Sequence, residues 1–396
     1  MNSLFNEYTA QIMQYNLGAS TRAGCTACTL SNAEIGHHAN RVGKLLAESG
    51  RVNLVLFGTG CPALVKLLSA QFAQTETKLY FCELNIERTR ELLLETGWEA
   101  LPENTSLICD TSPRAVIALL AAANVNVENS VFYLCPGLPE AETKSLQKCM
   151  QLLQRSRAVP TSTAPAAVAS EQISILAILH PEETGLAGFC AQIPNGIKEL
   201  VIVWDSPRAH MVPLEAACPI IQSNRELDGD FASQRNHALS LCSAPWVLAL
   251  DGDERLDENG WQNIKEAASQ DEISAFFLQR PTFFPDSEHF RIGFGLWPDY
   301  QLRLFKHTNK TLFTRPVHEI LIGVAGCTAI LQHAPLWHWS YVLKDRSALE
   351  ERLKVFNKAM GKPVHRLNRD YPHLPLSWFE SYQKLAANLK YLVLPE

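Results

Sequence analysis

The sequence WVLAL, residues 246–250, runs directly into DGDE, residues 251–254. A continuous apolar run of this length predicts a strand that is buried on both faces, as in the parallel sheets of α/β proteins. Such sheets bind their ligands at the carboxyl ends of the strands. Asp251 and Asp253 therefore lie at the edge of the sheet where a ligand is expected. Because only Gly252 separates them, their carboxylate oxygens can approach one hard cation such as Mg²⁺ or Mn²⁺.

Three other interpretations of this acidic turn compete with a catalytic one. A calcium-binding EF-hand loop is excluded, because it needs an oxygen ligand and then a glycine where Arg255 and Leu256 stand. A solvated turn that caps the next helix remains open, and so does a metal site of an unrelated kind.

The rest of the chain alternates strand-like and helix-like patterns, which indicates α/β folds in both halves. The first half predicts strands at 53–57, 79–82, 106–109 and 131–135, and helices at 86–96 and 113–122. The second half predicts strands at 173–179, 199–203 and 246–250. A helix from Phe231 to about Cys242 precedes the last of these, and Asp230 is well placed to cap it.

A linker is predicted at residues 157–172, RAVPTSTAPAAVASEQ. This stretch is rich in proline, alanine, serine and threonine and lacks a sustained hydrophobic period. It separates a first domain at 1–156 from a second domain at 173–362, which a helical C-terminal extension at 363–396 follows. Both predicted domains have the size of ordinary folding units.

Composition excludes several classes of protein. The 396 residues are 46% hydrophobic and 19% charged, which indicates a chain with sizeable cores. The net charge of −6 excludes the basic surface of a nucleic-acid binder. No apolar run approaches the roughly 18 residues of a transmembrane segment, so only contact with a membrane surface stays open. Without a signal-peptide pattern, and with 11 scattered cysteines, we expect reduced thiols in a cytoplasmic protein.

A glycine turn follows the first predicted strand. The stretch GTGCPA, residues 58–63, fits G-x-G-x-x-[GA], in which the backbone approaches a phosphate or nucleoside at a helix start. Glu83 follows the second strand, where an acidic side chain can bind ribose hydroxyls. Gly58, Gly60 and Glu83 are therefore a candidate site for NAD or S-adenosylmethionine, although many such turns bind no ligand. Asp110, after the third strand, is the other polar candidate.

Several segments of the second half occur in the order found in one enzyme family. They are ISILAIL at 173–179, VIVWDS at 201–206, DFASQRN at 230–236, LDGDE at 250–254, QLRLFK at 301–306, VHE at 317–319 and HWSY at 338–341. In this order they resemble the family-2 glycosyltransferases of the GT-A fold, with their DxD motif, especially bacterial enzymes that decorate lipopolysaccharide cores or other surface glycans. The first half resembles the Rossmann-like domains attached to some of these enzymes.

The resemblance implies roles for individual residues. The nucleotide-sugar site would consist of Glu182, Asp205, Arg235, Asp251 and Arg303. The metal site would consist of Asp253, Asp251 and His338. Glu319 would be the general base that takes the proton of the acceptor hydroxyl, with His318 as the alternative. Structural alternatives remain: the two histidines as packed core residues, and Arg303 as the partner of a carboxylate.

The implied reaction is a metal-dependent, inverting transfer of a hexose from a nucleotide-diphosphate sugar, with a UDP-sugar as the expected donor and a glycan or protein as acceptor. Mn²⁺ or Mg²⁺ would be the cofactor. Acceptor loops are expected at 280–300, where Phe283, Phe284, Phe290, Phe294 and Trp297 would stack on sugar rings or else belong to the core or to a subunit contact. The alternative function is an S-adenosylmethionine- or NAD-binding Rossmann protein, or a scaffold with a decayed transferase domain.

The chain departs from the family pattern at two places. His180-Pro181 stands where the family has an asparagine before Glu182. The second aspartate that is common after Asp205-Ser206 is missing from the sequence. Both positions belong to the nucleotide-binding loops, so the base specificity stays open.

Overall fold

A computed structural model describes residues 2–15, 17, 28–97, 101–161, 171–207, 213–344, 347, 349–351, 353–354 and 370–395. The chain divides into two compact units. The first unit comprises Met1–Pro160, Arg291–Pro298 and Tyr371–Leu389, and the second comprises Thr161–Phe290, Asp299–Asp370 and Lys390–Glu396. Each unit contains a sheet with helices, which confirms the predicted α/β fold class.

The described elements alternate along most of the chain. The helices are α1 (Asn2–Met13), α2 (Asn32–Ser49), α3 (Pro62–Phe72), α4 (Ile86–Thr96), α5 (Pro113–Ala122), α6 (Glu140–Arg155), α7 (Leu186–Ala191), α8 (Phe231–Leu239), α9 (Glu258–Ala267), α10 (Ser340–Leu343) and α11 (Leu376–Leu385). The strands through the first half are β1 (Asn53–Phe57), β2 (Lys78–Glu83), β3 (Thr105–Cys109), β4 (Ser130–Leu134), β5 (Arg157–Pro160), β6 (Ile173–Leu179), β7 (Glu199–Trp204) and β8 (Ile220–Asn224). They continue with β9 (Trp246–Ala249), β10 (Glu254–Arg255), β11 (Ile273–Leu278), β12 (His289–Arg291), β13 (Gln301–Lys306), β14 (Leu312–Thr314), β15 (Ile320–Ile322), β16 (Cys327–Leu331), β17 (Trp337–His338), β18 (His373–Pro375) and β19 (Leu389–Val393).

These elements refine the predicted organisation of the chain. The break between the units, at residues 160 and 161, falls inside the predicted linker, but strand β5 occupies the start of that linker. The predicted helical extension at 363–396 contains β18 and β19 as well as helix α11. Its first residues, 363–369, lie outside the described part of the chain.

The sheet of the first unit has the order β3-β2-β1-β4, and every pair in it is parallel. Strands β1 and β3 are buried along their whole length. Parallel strands covered on both faces are continuous apolar runs rather than alternating patterns. This is why the sequence placed all four strands to within about two residues of their observed ends.

Helix α1 covers the outer edge of β3 through side-chain hydrogen bonds. The hydroxyl of Thr9 donates to the carbonyl oxygen of Leu107 at 2.7 Å and accepts from the amide of Cys109 at 3.0 Å. The side-chain oxygen of Asn6 accepts from the amide of Leu107 at 2.9 Å. An edge strand would otherwise expose these backbone groups to pairing with another chain.

The strands of the second unit follow the order β19-β16-β11-β13-β9-β6-β7-β8. Strands β9, β6, β7 and β8 are parallel neighbours, whereas β13 pairs with β9 in the antiparallel direction. Strand β9 therefore has a parallel neighbour on one side and an antiparallel one on the other. Its carboxyl end leads into the acidic turn at 251–254.

A short ladder brings a distant segment to this turn. Strands β10 and β17 pair antiparallel, with Glu254 opposite His338 and Arg255 opposite Trp337. The amide of Trp339 also donates to the carbonyl oxygen of Asp253 at 2.8 Å. The HWSY segment thus lies against the DGDE segment, although more than 80 residues separate the two in the sequence.

The aromatic residues at 283–297 belong largely to cores. Phe290 and Trp297 are fully buried, and Phe283 is 4% exposed. In the first unit, Trp297 packs edge-on against Tyr382, with ring centroids 5.1 Å apart. These three rings are not available to stack on a sugar, so the core alternative is correct for them.

The edge of β3 provides the first prediction. Thr9→Val should destabilise the first unit by about 1–3 kcal/mol, because the carbonyl of Leu107 and the amide of Cys109 would both lose a partner. Urea unfolding followed by fluorescence measures the change. Thr9→Ser is the matched control, since it keeps the hydroxyl and should retain most of the stability. Equal losses in both variants would contradict this account, because Thr9→Ser keeps the hydroxyl and loses only a methyl group, whereas Thr9→Val loses the hydroxyl and keeps the methyl group.

Candidate functional site

The acidic turn after β9 closes on itself through reciprocal hydrogen bonds. The amide of Asp251 donates to the Glu254 carboxylate at 3.0 Å, and the amide of Glu254 donates to the Asp251 carbonyl at 3.0 Å. Glu254 is fully buried and Asp253 is 2% exposed. Buried carboxylates are stable only when hydrogen bonds or cations compensate them, so their partners define the site.

Strand β13 supplies the first cation. Arg303 lies one residue before Leu304, which pairs with Leu248 of β9. Its Nη2 donates to Oδ2 of Asp251 and to Oε1 of Glu254, both at 2.6 Å. Burial acts to lower the pKa of Arg303, but these two carboxylates outweigh it and raise that pKa above its ordinary value. Arg303 is therefore a permanent charge that fixes the turn.

Helix α8 supplies the second cation. Asp230 caps this helix, as predicted, by accepting from the amide of Ser233 at 2.9 Å. Nη2 of Arg235 donates to Oδ1 of Asp251 at 2.8 Å, and Nε donates to Oε1 of Glu319 at 2.5 Å. Arg235 is only 6% exposed, so it is not a surface residue.

Asp251 lies between the two arginines, and each of its oxygens accepts from one of them. Burial acts to raise the pKa of Asp251, but the charges of Arg303 and Arg235 prevail and hold that pKa well below its usual range. Asp251 is thus ionised at any physiological pH. The predicted metal site consists of Asp251, Asp253 and His338. Both oxygens of Asp251 accept from arginines, whereas Asp253 lies beside His338.

The predicted base lies at this cluster. Glu319 lies in the loop between β14 and β15, and its side chain is 16% exposed. The neighbouring His318 is exposed and adopts a left-handed backbone conformation, with φ of 53°. Glu319 therefore joins Arg235 and Asp251 in one charged group.

Arg280 extends this group from Glu254. It pairs with Asp299 at 2.8 Å and reaches Glu254 at 3.4 Å.

Asp253 has a separate set of partners. The hydroxyl of Ser340 donates to Oδ2 at 2.5 Å, and the ammonium of Lys344 donates to the same oxygen at 2.7 Å. Nε2 of His338 lies 3.6 Å from Oδ1. The Ser340 hydroxyl also lies 2.9 Å from His338 Nε2, and Thr282 lies 2.9 Å from Nδ1.

The Asp253 group fits a divalent cation in part. One carboxylate and one imidazole are ligands that Mn²⁺ accepts, and a gap of 3.6 Å allows a single ion to contact both. Among the described residues, no set of three His, Cys, Asp or Glu side chains is placed to hold a metal ion. Further ligands would therefore come from a substrate, as is common for magnesium sites that share phosphate oxygens.

The remaining predicted nucleotide contacts lie in neighbouring loops. Asp205 follows β7, and its Oδ1 accepts from the amide of Leu227 at 2.9 Å. Glu182 is exposed after β6. The adjacent Glu183 does approach the acidic turn. Its Oε2 lies only 2.7 Å from the position that a Cβ on Gly252 would occupy.

Five residues of the site escaped the sequence analysis as individual candidates: Glu183, Glu254, Arg280, Ser340 and Lys344. Glu254 and Ser340 lie inside the DGDE and HWSY segments, so these motifs could have indicated them as site residues. Arg280 and Lys344 lie outside the quoted segments. Only their contacts in the fold identify them.

The glycine turn of the first unit is occupied by the protein's own side chains. The Glu83 carboxylate accepts from the amide of Thr59 at 2.7 Å, from its hydroxyl at 3.0 Å and from the amide of Asn85 at 3.0 Å. A Cβ on Gly58 would meet Leu138 at 2.6 Å, and Leu138 also lies against Gly60. Glu83 thus holds the turn in shape, and a nucleoside there stays a prediction.

Asp110 is a second buried acid of the first unit. It accepts from the hydroxyl of Tyr8 at 2.5 Å and from the amide of Ser112 at 2.8 Å, and it is fully buried. Burial raises the pKa of Asp110 to about 7, even though these hydrogen bonds act to lower it. This carboxyl group therefore titrates near neutral pH in the folded protein.

Comparisons with known proteins give partial likenesses. No family model matches the chain. A TPR repeat-containing protein of Synechococcus elongatus is 26% identical over 172 residues, which is 43% of this chain and 40% of that protein. The lipopolysaccharide core biosynthesis glycosyltransferase LpsC of Rhizobium meliloti is 29% identical over 127 residues, which is 29% of this chain and 44% of LpsC. The chain thus spans less than half the length of these curated relatives.

Among solved structures, the chain is similar in part to TarS of S. aureus. The complex of TarS 1–349 with UDP has a TM-score of 0.30 at 9% identity and covers 55% of this chain and 70% of that chain. The complex with UDP-GlcNAc has a TM-score of 0.23 at 14% identity and covers 29% and 36%. TM-scores this low say nothing about the function of the chain.

Within the described residues, no helix combines the length and apolar character needed to span a bilayer.

Asp110 provides a prediction for pH dependence. Its folded pKa of about 7 lies above the unfolded value of about 4, so its contribution is greatest at acidic pH and is lost as the pH rises from about 4 to about 7. Asp110→Asn cannot ionise, so its urea midpoint should rise relative to that of the wild type across this range. Glu128→Gln, at an exposed position of the same unit, is the control and should show no such trend. Parallel pH profiles for Asp110→Asn and wild type would contradict the assignment.

Proposed function

We propose that the second unit is a metal-dependent glycosyltransferase of the GT-A type that uses a nucleotide-sugar donor. The observation that carries the proposal is the buried acidic turn at the carboxyl end of β9, where Asp251 is held by Arg235 and Arg303. The partial likeness to LpsC supports the same class of reaction. The conjunction of a DxD turn with buried arginines suits a substrate that carries both hydroxyl groups and phosphates.

Arg235 has hydrogen-bonding capacity left for a ligand. Among the described residues, its buried Nη1 has no hydrogen-bond partner, and neither does Nε of Arg303. Buried donors are usually satisfied in native proteins, so an unsatisfied one calls for a missing partner. We assign these donors to the ribose, sugar or phosphate oxygens of the donor, together with Asp205 and Glu182 from the adjacent loops.

Asp253 and His338 are the proposed metal ligands. Their separation of 3.6 Å suits one shared ion, whereas both oxygens of Asp251 face arginines. When bound, Mn²⁺ or Mg²⁺ would neutralise the charge that develops on the departing diphosphate. Thr282 holds His338 from its Nδ1 side, which orients Nε2 toward Asp253.

The proposed base is Glu319. It reaches the same cluster from the β14–β15 loop, so an acceptor hydroxyl near the sugar would meet its carboxylate. The ion pair with Arg235 positions this carboxylate and must loosen when it accepts a proton. His318 is the alternative, because it is adjacent and exposed. Direct attack assisted by one base would invert the configuration of the transferred sugar.

The identities of donor and acceptor follow only at the level of chemical class. We propose a hexose as the transferred sugar, a UDP-sugar as the donor and a glycan or protein as the acceptor, in surface-glycan synthesis. The alternative of a nucleoside-binding first unit gains no support from geometry, since Glu83 already binds the backbone of its own turn. We therefore place the activity in the second unit.

Asp253→Asn should nearly abolish hydrolysis and transfer of a UDP-sugar in Mn²⁺, because loss of a metal ligand removes several kcal/mol of transition-state stabilisation. EDTA should do the same to the wild type, and added Mn²⁺ should restore it. Asp271→Asn, at an exposed position of the same unit, is the control and should remain active. Full wild-type activity in EDTA would exclude the metal-dependent mechanism.

Glu319→Gln tests the base. Transfer should fall by about 10²–10⁴-fold with UDP affinity retained, which is the usual contribution of a positioned base. If Glu319 only anchors Arg235, melting temperature and donor affinity should fall together instead. Glu288→Gln, at an exposed site in the second unit, controls for the loss of one negative charge. Near-normal transfer by Glu319→Gln would move the role to His318.

A further inference from the structure

We propose that Lys344 is a positioning residue that makes divalent-cation binding at Asp253 depend on the donor diphosphate. This inference rests on the proposed function and adds a residue that the family resemblance does not assign. Lys344 ends helix α10, and its ammonium contacts Asp253 Oδ2 at 2.7 Å. It also lies 3.6 Å from Oε1 of Glu183.

The contacts make Lys344 a counter-ion of Asp253. The side chain of Asp253 is 2% exposed and that of Lys344 is 15% exposed, so water screens the pair poorly. A buried carboxylate without a cation is strongly unfavourable. Lys344 and Ser340 therefore satisfy the oxygen Oδ2, and His338 lies near Oδ1.

A divalent ion changes the charge balance of this site. The carboxylates of Glu183 and Asp253 interact with the Lys344 ammonium and with the Arg255 guanidinium, so these four groups together carry no net charge. An ion shared by Oδ1 of Asp253 and His338 would place a double positive charge close to the Lys344 ammonium, on the same carboxylate. Like charges at such distances repel, and poor screening strengthens the repulsion. The ion should therefore bind weakly while Lys344 stays.

A diphosphate removes this conflict. Its negative oxygens can accept from the Lys344 ammonium and can share the divalent ion at the same time. Lys344 then exchanges Asp253 for the diphosphate, and the two cations flank one anionic group. Metal and donor thus assist each other's binding, and by linkage each raises the affinity of the other by the same factor.

Lys344→Met tests this coupling on the full chain. The variant should bind Mn²⁺ about tenfold more tightly than the wild type without nucleotide, measured by titration of the free Mn²⁺ signal in electron paramagnetic resonance. It should bind UDP in the presence of Mn²⁺ about tenfold more weakly, measured by calorimetry. Lys344→Arg keeps the charge and should behave more like the wild type. Lys310→Met, at an exposed site of the same unit, is the control.

The outcomes separate this inference from the proposed function. Unchanged Mn²⁺ affinity in Lys344→Met, with wild-type protein that binds Mn²⁺ and UDP, would overturn the role of Lys344 alone. A wild-type chain that binds neither Mn²⁺ nor UDP would overturn the proposed function as well. If Lys344→Met fails to fold, Lys344→Gln replaces it, and the same two affinities decide.

Discussion

The Asp251 carboxylate, held between two buried arginines, is the interaction on which the second unit depends. Arg303 reaches it from strand β13 and Arg235 from helix α8, so one side chain joins three elements that are far apart in the sequence. Through the same arginines it also fixes Glu254 and Glu319. Breaking such a buried pair costs about 3–5 kcal/mol, because the remaining charge loses its partner.

Two carboxylates of one short turn have different chemistry because of what surrounds them. Asp251 faces arginines, which cannot release a proton at physiological pH. Asp253 faces a lysine, a serine and a histidine. Gly252 separates the two, and any side chain there would collide with Glu183 and Leu179. The turn thus holds one carboxylate between two arginines, while the other, Asp253, is the one that we propose as a metal ligand.

The first unit uses buried polar groups in a different way. Glu83 satisfies the amides of a glycine turn, and Thr9 satisfies the edge of a strand. In both cases a buried polar side chain supplies a partner to backbone groups of the first unit. A sequence pattern that is typical of nucleotide binding therefore has a structural use here. Asp110, whose pKa is raised to about 7, makes the stability of this unit depend on pH.

Local sequence determined the α/β class, the strands β1 to β4, β6, β7 and β9, the cap at Asp230 and the position of the acidic turn, because each depends on neighbouring residues and on hydrophobic period. It also indicated that Arg235, Arg303, Glu319 and His338 belong together, through the order of their segments. It selected Glu182 where the fold brings Glu183 to the turn, and it left Lys344 unnoticed. Those choices depend on side-chain contacts between residues 69 or more positions apart, which no local pattern encodes. Only the tertiary structure decided them, because burial without water forces each charge to find a partner in space.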